Sequence, residues 1–253
     1  WERRHYVHLP LLMGRGADGT VSTLSKRHGA VSFQDLLAAG YLPEAILNYI
    51  ALLGWCPKDS ENEFFTLAEL EELFTIDAVS KSPSVFDYEK LLWFNGEYIR
   101  KLPFDKYREL AAPYLPGDLP ANIDREKLLA LLAGRISCFS EIPEKIGFFY
   151  SLPDYGADLF PNKKNKVTAE NAPLFLAAAE RVLSDVTVWD NDTLFETLSA
   201  LAEAEGVKAG AIFWCLRIAV SGQAVTPGGA TEIMEVLGRE ESMARLAISR
   251  NKF

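Results

Sequence analysis

Two cations stand beside a small hydroxyl residue in a glycine-flanked stretch near the start of the chain. The stretch reads Leu24-Ser25-Lys26-Arg27-His28-Gly29. Ammonium and guanidinium groups donate charge-assisted hydrogen bonds to phosphate oxygens, and a glycine lets the backbone approach a ligand closely. The composition therefore suits phosphate binding. On these residues alone, an exposed lysine in such a loop is more simply a solvated charge.

A buried helix is predicted a dozen residues further on, at Pro43–Leu53. Proline is favoured at the first position of a helix and glycine just past its end, where Gly54 stands. Apolar side chains cover most of its circumference, which is typical of a core helix. Other helix starts are predicted at the N-caps Ser32, Thr66 and Asp87, and Pro103 ends the helix that Asp87 begins.

The remainder of the sequence has a helical pattern. Helices are predicted near 104–111, 124–138, 168–184, 190–205, 207–220, 228–238 and 239–249, joined by Pro, Gly and Asn turns. Phe148–Tyr150 is a short β-like run, and Asn162–Lys166 is a basic run. The predicted fold class is mostly α, in several packed helical modules with little β structure near the N-terminus.

The composition is that of a globular protein, with 253 residues, 49% hydrophobic residues and a net charge of −9. A negative overall field repels phosphate, so RNA binding must depend on particular residues. Cys56, Cys138 and Cys215 are far apart and predict buried free thiols, and the expected location is cytoplasmic. We expect no metal site, because the histidines lack metal-ligand spacing and no Cys-x-x-Cys occurs. Membrane attachment is likewise not expected.

Several short segments, taken in order along the chain, resemble the bacterial glutamyl-tRNA synthetase family, a family of class I aminoacyl-tRNA synthetases. They are His8–Leu11, Leu24–Gly29, Gly40–Trp55, Phe86–Ile99, Leu216-Arg217 and Thr226–Gly228. The resemblance implies that ATP and glutamate form glutamyl-adenylate, and that the glutamyl group then passes to tRNA(Glu). It also implies that Thr23, Leu24, Ser25, Lys26 and Arg27 form the ATP-binding signature loop, with Lys26 holding the phosphates. ATP would act with Mg²⁺ in the full-length enzyme, and the expected state is a monomer.

The resemblance also implies four anticodon-contacting residues: Arg135, Arg217, Thr226 and Pro227. Arg135 falls where discriminating members carry an arginine that reads the third anticodon base. The simpler alternatives are a helix-terminal arginine at 135, an ion-paired arginine at 217, and a helix start at Thr226-Pro227. The Lys163–Lys166 run is interpreted first as a solvated loop.

The family pattern divides the chain into 1–19 (end of the catalytic domain), 20–102 (signature loop and tRNA stem contact), 103–148 and 149–253 (two anticodon-binding subdomains). Because the chain begins at Trp1 and contains no His-x-Gly-His turn, we expect a fragment that does not aminoacylate by itself. Two alternatives remain open. One is a non-discriminating enzyme that also charges tRNA(Gln), and the other is a helical interaction scaffold without RNA binding.

Overall fold

A computed structural model describes residues 6–7, 9–16, 18–25, 32–57 and 62–253. Within these ranges the chain is mostly helical, with a small sheet near the N-terminus, which confirms the predicted fold class. The helices divide into two compact units, residues 1–110 with 136–141 and residues 111–135 with 142–253. The four boundaries predicted from the family pattern stay a prediction about function.

The first unit combines a three-stranded sheet with packed helices. In the sheet, β1 lies between antiparallel β2 and parallel β3. A hydrophobic core of the first unit is formed by Leu36, Ile46, Tyr49, Leu91 and Phe94. The elements are β1 (Leu12–Arg15), β2 (Val21–Thr23), α1 (Phe33–Ala38), α2 (Pro43–Leu52), α3 (Leu67–Leu73), β3 (Ser84–Val85), α4 (Tyr88–Lys101) and α5 (Phe104–Ala111).

The helix starts of this unit follow from local hydrogen bonding. Ser32 and Thr66 each accept a hydrogen bond from the backbone N–H three residues later. Asp87 accepts from two N–H groups of the first turn of α4. Each side chain satisfies N–H groups that have no partner within the helix. The three predicted caps are confirmed.

The second unit is a helical assembly built around one central helix. Helix α11 packs against α9, α10, α12 and α13, and most of its residues are buried. The α-helices are α6 (Arg125–Leu132), α7 (Ile142–Lys145), α8 (Gly147–Tyr150), α9 (Ala172–Ser184), α10 (Asn191–Ala204), α11 (Ala209–Ser221), α12 (Ala230–Leu237) and α13 (Arg239–Arg250).

Three predictions about elements in this unit are wrong. Phe148–Tyr150 is helical rather than β-like, and both Phe148 and Phe149 are buried. Helix α6 ends at Leu132 rather than 138, since Gly134 adopts a left-handed φ of 75°. Helix α9 begins at Ala172 rather than 168.

The cysteines are free thiols, but only two are buried. Cys138 and Cys215 are buried, whereas Cys56 is exposed, so the prediction for Cys56 is wrong. Burial raises the pKa of the Cys215 thiol to about 12 and also raises the pKa of Cys138. Both buried thiols therefore stay protonated and unreactive at neutral pH.

Candidate nucleic-acid interface

The four predicted anticodon-contacting residues all fall within the second unit. Arg135 lies three residues after the end of α6, and Arg217 lies on α11. Thr226 and Pro227 lie in the segment that joins α11 to α12.

The guanidinium of Arg135 is held at two of its nitrogens. Nη1 donates a hydrogen bond of 2.7 Å to the carbonyl oxygen of Leu131, in the last turn of α6. Nη2 donates to Oε1 of Glu232 on α12 at 2.6 Å. The side chain remains 36% exposed. A guanidinium has five N–H donors, and these two contacts use only two of them. Arg135 can therefore bond the end of α6 and also face a ligand.

Two hydroxyl groups, one at the end of α11 and one in the segment between α11 and α12, form hydrogen bonds with the backbone. The Oγ of Ser221 donates to the carbonyl oxygen of Arg217 at 2.6 Å and accepts from the N–H of Gln223 at 3.1 Å. The Oγ1 of Thr226 donates to the carbonyl oxygen of Gly228 at 2.6 Å. Thr226 does not cap α12, which begins at Ala230. Interpreting Thr226-Pro227 as the helix start is wrong.

The segment between α11 and α12 also packs against α6. A Cβ atom at Gly228 would lie 2.4 Å from Cδ1 of Leu131, so the loop backbone approaches that side chain closely. Leu131 is the residue whose carbonyl oxygen binds Arg135. Arg135 and the segment that contains Thr226 and Pro227 therefore both contact Leu131 at the end of α6.

Arg217 is a cation on an otherwise apolar helix. Its neighbours Leu216 and Ile218 are fully buried. The Nε of Arg217 is buried and has no hydrogen-bond partner within the described ranges. No ion pair involving Arg217 is present in that part of the chain, so the structure does not support the ion-pair alternative. An unpartnered buried donor costs about 1–3 kcal/mol, so the Nε of Arg217 is an unsatisfied group of the described structure.

The basic run forms a tight turn beside the start of α11. An isolated bridge joins Asn162 to Val167, and Lys166 adopts a left-handed φ of 55°. Asn165 approaches Gly210 of α11 closely. The three lysines of the run are exposed, and within the described ranges none forms an ion pair. This is compatible with a solvated loop.

The structure describes only part of the predicted signature loop. Thr23 ends β2 and is exposed, and Leu24 donates its backbone N–H to the carbonyl oxygen of Leu12 at 2.8 Å. Ser25 is also exposed. Lys26 and Arg27 lie outside the described residues. The geometry that would surround phosphate therefore stays a prediction.

Glu232 is a partner of Arg135 that the sequence did not predict. Its Oε2 accepts the N–H of Gly229 at 2.7 Å, while its other carboxylate oxygen binds Arg135. A Glu three residues after Gly229 is a recognisable helix-start signal. The sequence gives no such signal for a contact with Arg135, 97 residues away.

The surface beside Arg135 carries both cations and carboxylates, since Lys127, Glu232 and Glu235 line one cavity there. Arg135 keeps uncommitted N–H groups, and the Nε of Arg217 lacks an acceptor. A cavity of about 250 Å³ beside Leu131 and Glu232 lies between α6 and α12. Arg217 is not among the residues that line this cavity. The free N–H groups of Arg135 can hold a ligand edge rich in acceptors, such as a nucleobase or a phosphate.

Comparison with known proteins identifies the family. The family described as anticodon binding domain matches residues 106–250, which is more than half of the chain. The chain belongs to this family. A second family, described as tRNA synthetases class I (E and Q), catalytic domain, matches residues 1–93. Arg135, Arg217, Thr226 and Pro227 all lie within the anticodon binding domain match.

Named relatives extend the comparison over the whole chain. A glutamate–tRNA ligase from Clostridium tetani is 43% identical over 252 residues, covering 100% of this chain and 51% of that protein. The ligase from Clostridium acetobutylicum is 42% identical over 253 residues, covering 100% and 51%. The chain spans about half the length of these curated relatives.

Solved structures share the fold. A glutamate–tRNA synthetase from Elizabethkingia anophelis superposes with a TM-score of 0.80 at 23% identity, covering 99% of this chain and 52% of that chain. A glutamate tRNA ligase from Elizabethkingia meningosepticum, in complex with its amino acid, gives a TM-score of 0.70 at 23% identity, covering 97% and 46%.

The described residues contain neither a helix suited to crossing a membrane nor a cluster suited to a metal ion. None of the described helices combines the length and apolar character needed to cross a membrane. Within the same ranges, no group of three His, Cys, Asp or Glu side chains is arranged to hold a metal ion.

Proposed function

We propose that this chain is the tRNA-binding and anticodon-recognition part of a bacterial glutamate–tRNA ligase. The observation that carries the proposal is the convergence of Arg135 and the Thr226-Pro227 segment on α6 and α12, within the match to the anticodon binding domain. The names of the relatives supply the amino acid and the class of tRNA.

The proposed reaction of the full-length enzyme has two steps. Glutamate attacks the α-phosphorus of ATP and forms glutamyl-adenylate with release of pyrophosphate. A hydroxyl of the terminal ribose of tRNA(Glu) then attacks the glutamyl carbonyl carbon, and AMP is released. Lys26 would stabilise the charge that builds on the leaving pyrophosphate, in an enzyme that uses ATP with Mg²⁺. The 253 residues contain no His-x-Gly-His turn, and we propose that by themselves they bind tRNA without aminoacylating it.

The chemistry of Arg135 suits a cytosine at the third anticodon position. Glutamate anticodons end in C and glutamine anticodons end in G. The pairing edge of cytosine offers two adjacent acceptors, O2 and N3, beside one amino donor, whereas that of guanine offers two adjacent donors, N1–H and N2–H, beside one acceptor, O6. A guanidinium only donates, so it binds the first edge and is repelled by the second. This supports a discriminating enzyme over one that also charges tRNA(Gln).

The proposal is tested by equilibrium binding of the chain to two tRNAs at several salt concentrations. One is tRNA(Glu), and the other carries G in place of C at the third anticodon position. We expect affinity to fall with salt, as phosphate contacts require, and to be weaker for the G form. Arg135→Ala should remove about 1–3 kcal/mol of this discrimination.

Arg181→Ala is the matched control, since Arg181 is exposed and pairs loosely with Glu205 at 3.9 Å. It removes the same charge and should leave the C-to-G ratio unchanged. Equal binding of both tRNAs by the unmodified chain would indicate the non-discriminating enzyme. Absence of any binding would favour the helical scaffold, which the net charge of −9 also favours.

Lys26→Ala should leave the affinity for tRNA within about twofold of that of the unmodified chain, because the proposed partner of Lys26 is ATP. Loss of one charge near the RNA would weaken phosphate binding only slightly. The measurement is the same binding titration at low salt. Loss of tRNA binding in this variant would overturn the proposed division between an ATP-binding loop and an RNA-binding unit.

A further inference from the structure

Glu232 uses its two carboxylate oxygens for two different segments. Oε1 accepts from Nη2 of Arg135 at 2.6 Å, and Oε2 accepts from the backbone N–H of Gly229 at 2.7 Å. Gly229 immediately precedes α12 and closes the segment that contains Thr226 and Pro227. One carboxylate therefore connects the proposed base-reading arginine to the proposed anticodon-contacting loop.

The two contacts of Arg135 fix the plane of its guanidinium. Nη1 is bound to Leu131 and Nη2 to Glu232, so the planar group is held at two separate corners. Three of its five N–H donors are left for a ligand. Their directions follow from the fixed plane. A donor set oriented before binding is more specific than a freely rotating side chain, because its donors cannot turn to suit a different base.

We infer that Glu232 is a positioning residue that sets the specificity of Arg135 for the third anticodon base. This inference rests on the proposed function. Without the carboxylate, Arg135 keeps its charge but loses the contact that aims it. The freed guanidinium can bind any nearby RNA phosphate, which carries no sequence information. Affinity for both tRNAs is then retained, while the difference between them falls.

The chain supplies a matched comparison on the same two helices. Lys127 of α6 pairs with Glu235 of α12 at 3.0 Å. Glu235 also accepts from the backbone N–H of Asn191 at 3.3 Å, so it too combines an ion pair with a backbone contact. Glu235 forms no contact with Arg135 in the described structure. Replacing Glu235 removes one carboxylate between α6 and α12 and leaves the arginine held.

The experiment compares Glu232→Gln with Glu235→Gln in the 253-residue chain. Dissociation constants are measured for tRNA(Glu) and for its third-base G variant at one salt concentration. For Glu232→Gln we expect the G-to-C ratio of the constants to fall by about tenfold, toward that of Arg135→Ala. The affinity for the G form should be unchanged or higher. Glu235→Gln should keep the original ratio.

The ratio stays informative if a variant is partly unfolded, since the folded fraction lowers both apparent affinities equally. Glu232→Asp is a second variant, which retains the charge but shortens the side chain, and it should also lower the ratio. An unchanged ratio in both Glu232 variants, with a lowered ratio in Arg135→Ala, would overturn the inference and leave the proposed function standing. If Arg135→Ala also keeps the ratio, the proposed base reading fails and this inference fails with it.

Discussion

Arg245→Met is expected to lower the free energy of unfolding of the second unit by about 2–6 kcal/mol. Arg245 is only 1% exposed, although arginine is rarely so deeply buried. Its Nη1 donates to the carbonyl oxygens of Phe148 at 2.8 Å and Val220 at 2.7 Å. Its Nε pairs with Glu241 at 2.6 Å.

The size of the effect follows from what the substitution leaves behind. Methionine fills much of the space of the arginine stem but donates no hydrogen bond. The two carbonyl oxygens then lose their donor inside the core, at about 1–3 kcal/mol for each. Glu241 adds little to this cost, because it is 41% exposed and can be hydrated.

The measurement is urea unfolding of the 253-residue chain, followed by a probe of the second unit. Arg250→Ala serves as the control on the same helix. Arg250 is 45% exposed and pairs with Glu180, so its loss should cost no more than about 1 kcal/mol. Equal destabilisation by the two variants would show that the buried contacts of Arg245 contribute nothing beyond an ordinary ion pair.

Local rules predicted the fold class and three helix caps in the first unit, although they misplaced the starts of α9 and α12. The caps at Ser32, Thr66 and Asp87 depend on side chains within three residues of the N–H groups they bind. The central helix α11 was predictable because its sequence is apolar over nearly its whole length. Such features need no knowledge of distant residues.

Contacts between distant residues could not be predicted in this way. The pair of Arg135 and Glu232 is separated by 97 residues, and no periodicity connects them. The burial of Arg245 has no sequence signal, since a charged residue on a helix normally predicts a solvated face. Strand β3 has only two residues, which is too short to show an alternating pattern. Phe148 and Phe149 have β propensity, but their burial among helices overrides it.

The candidate site likewise combines features that the sequence indicates with contacts that only the tertiary structure reveals. The resemblance to a known family predicts which residues contact the anticodon, and the structure places Arg135 beside the segment of Thr226 and Pro227. What holds Arg135 in place came only from the structure, because Glu232 had a local explanation as a helix cap. A residue with one sufficient local role can therefore conceal a second role that depends on the tertiary fold.

Gly40→Ala is expected to destabilise the first unit by about 2–5 kcal/mol, from backbone strain and steric overlap together. Gly40 has a left-handed φ of 89°. A Cβ atom there would lie 2.7 Å from Cβ of Phe139 and 3.0 Å from the backbone N of Phe139. A backbone nitrogen cannot move aside as the end of a flexible side chain can. The carbonyl oxygen of Gly40 also accepts from that nitrogen at 3.4 Å.

Gly206→Ala separates the two causes. Gly206 has a similar left-handed φ of 65°, but no atom lies within 4 Å of a Cβ built there. Its substitution should cost only the strain, about 1–2 kcal/mol. Thermal and urea unfolding of both variants give the difference, which measures the overlap with Phe139. Similar losses at the two positions would mean that the segment at Phe139 shifts to accept a methyl group, and that the close backbone approach at Gly40 is not required by the fold.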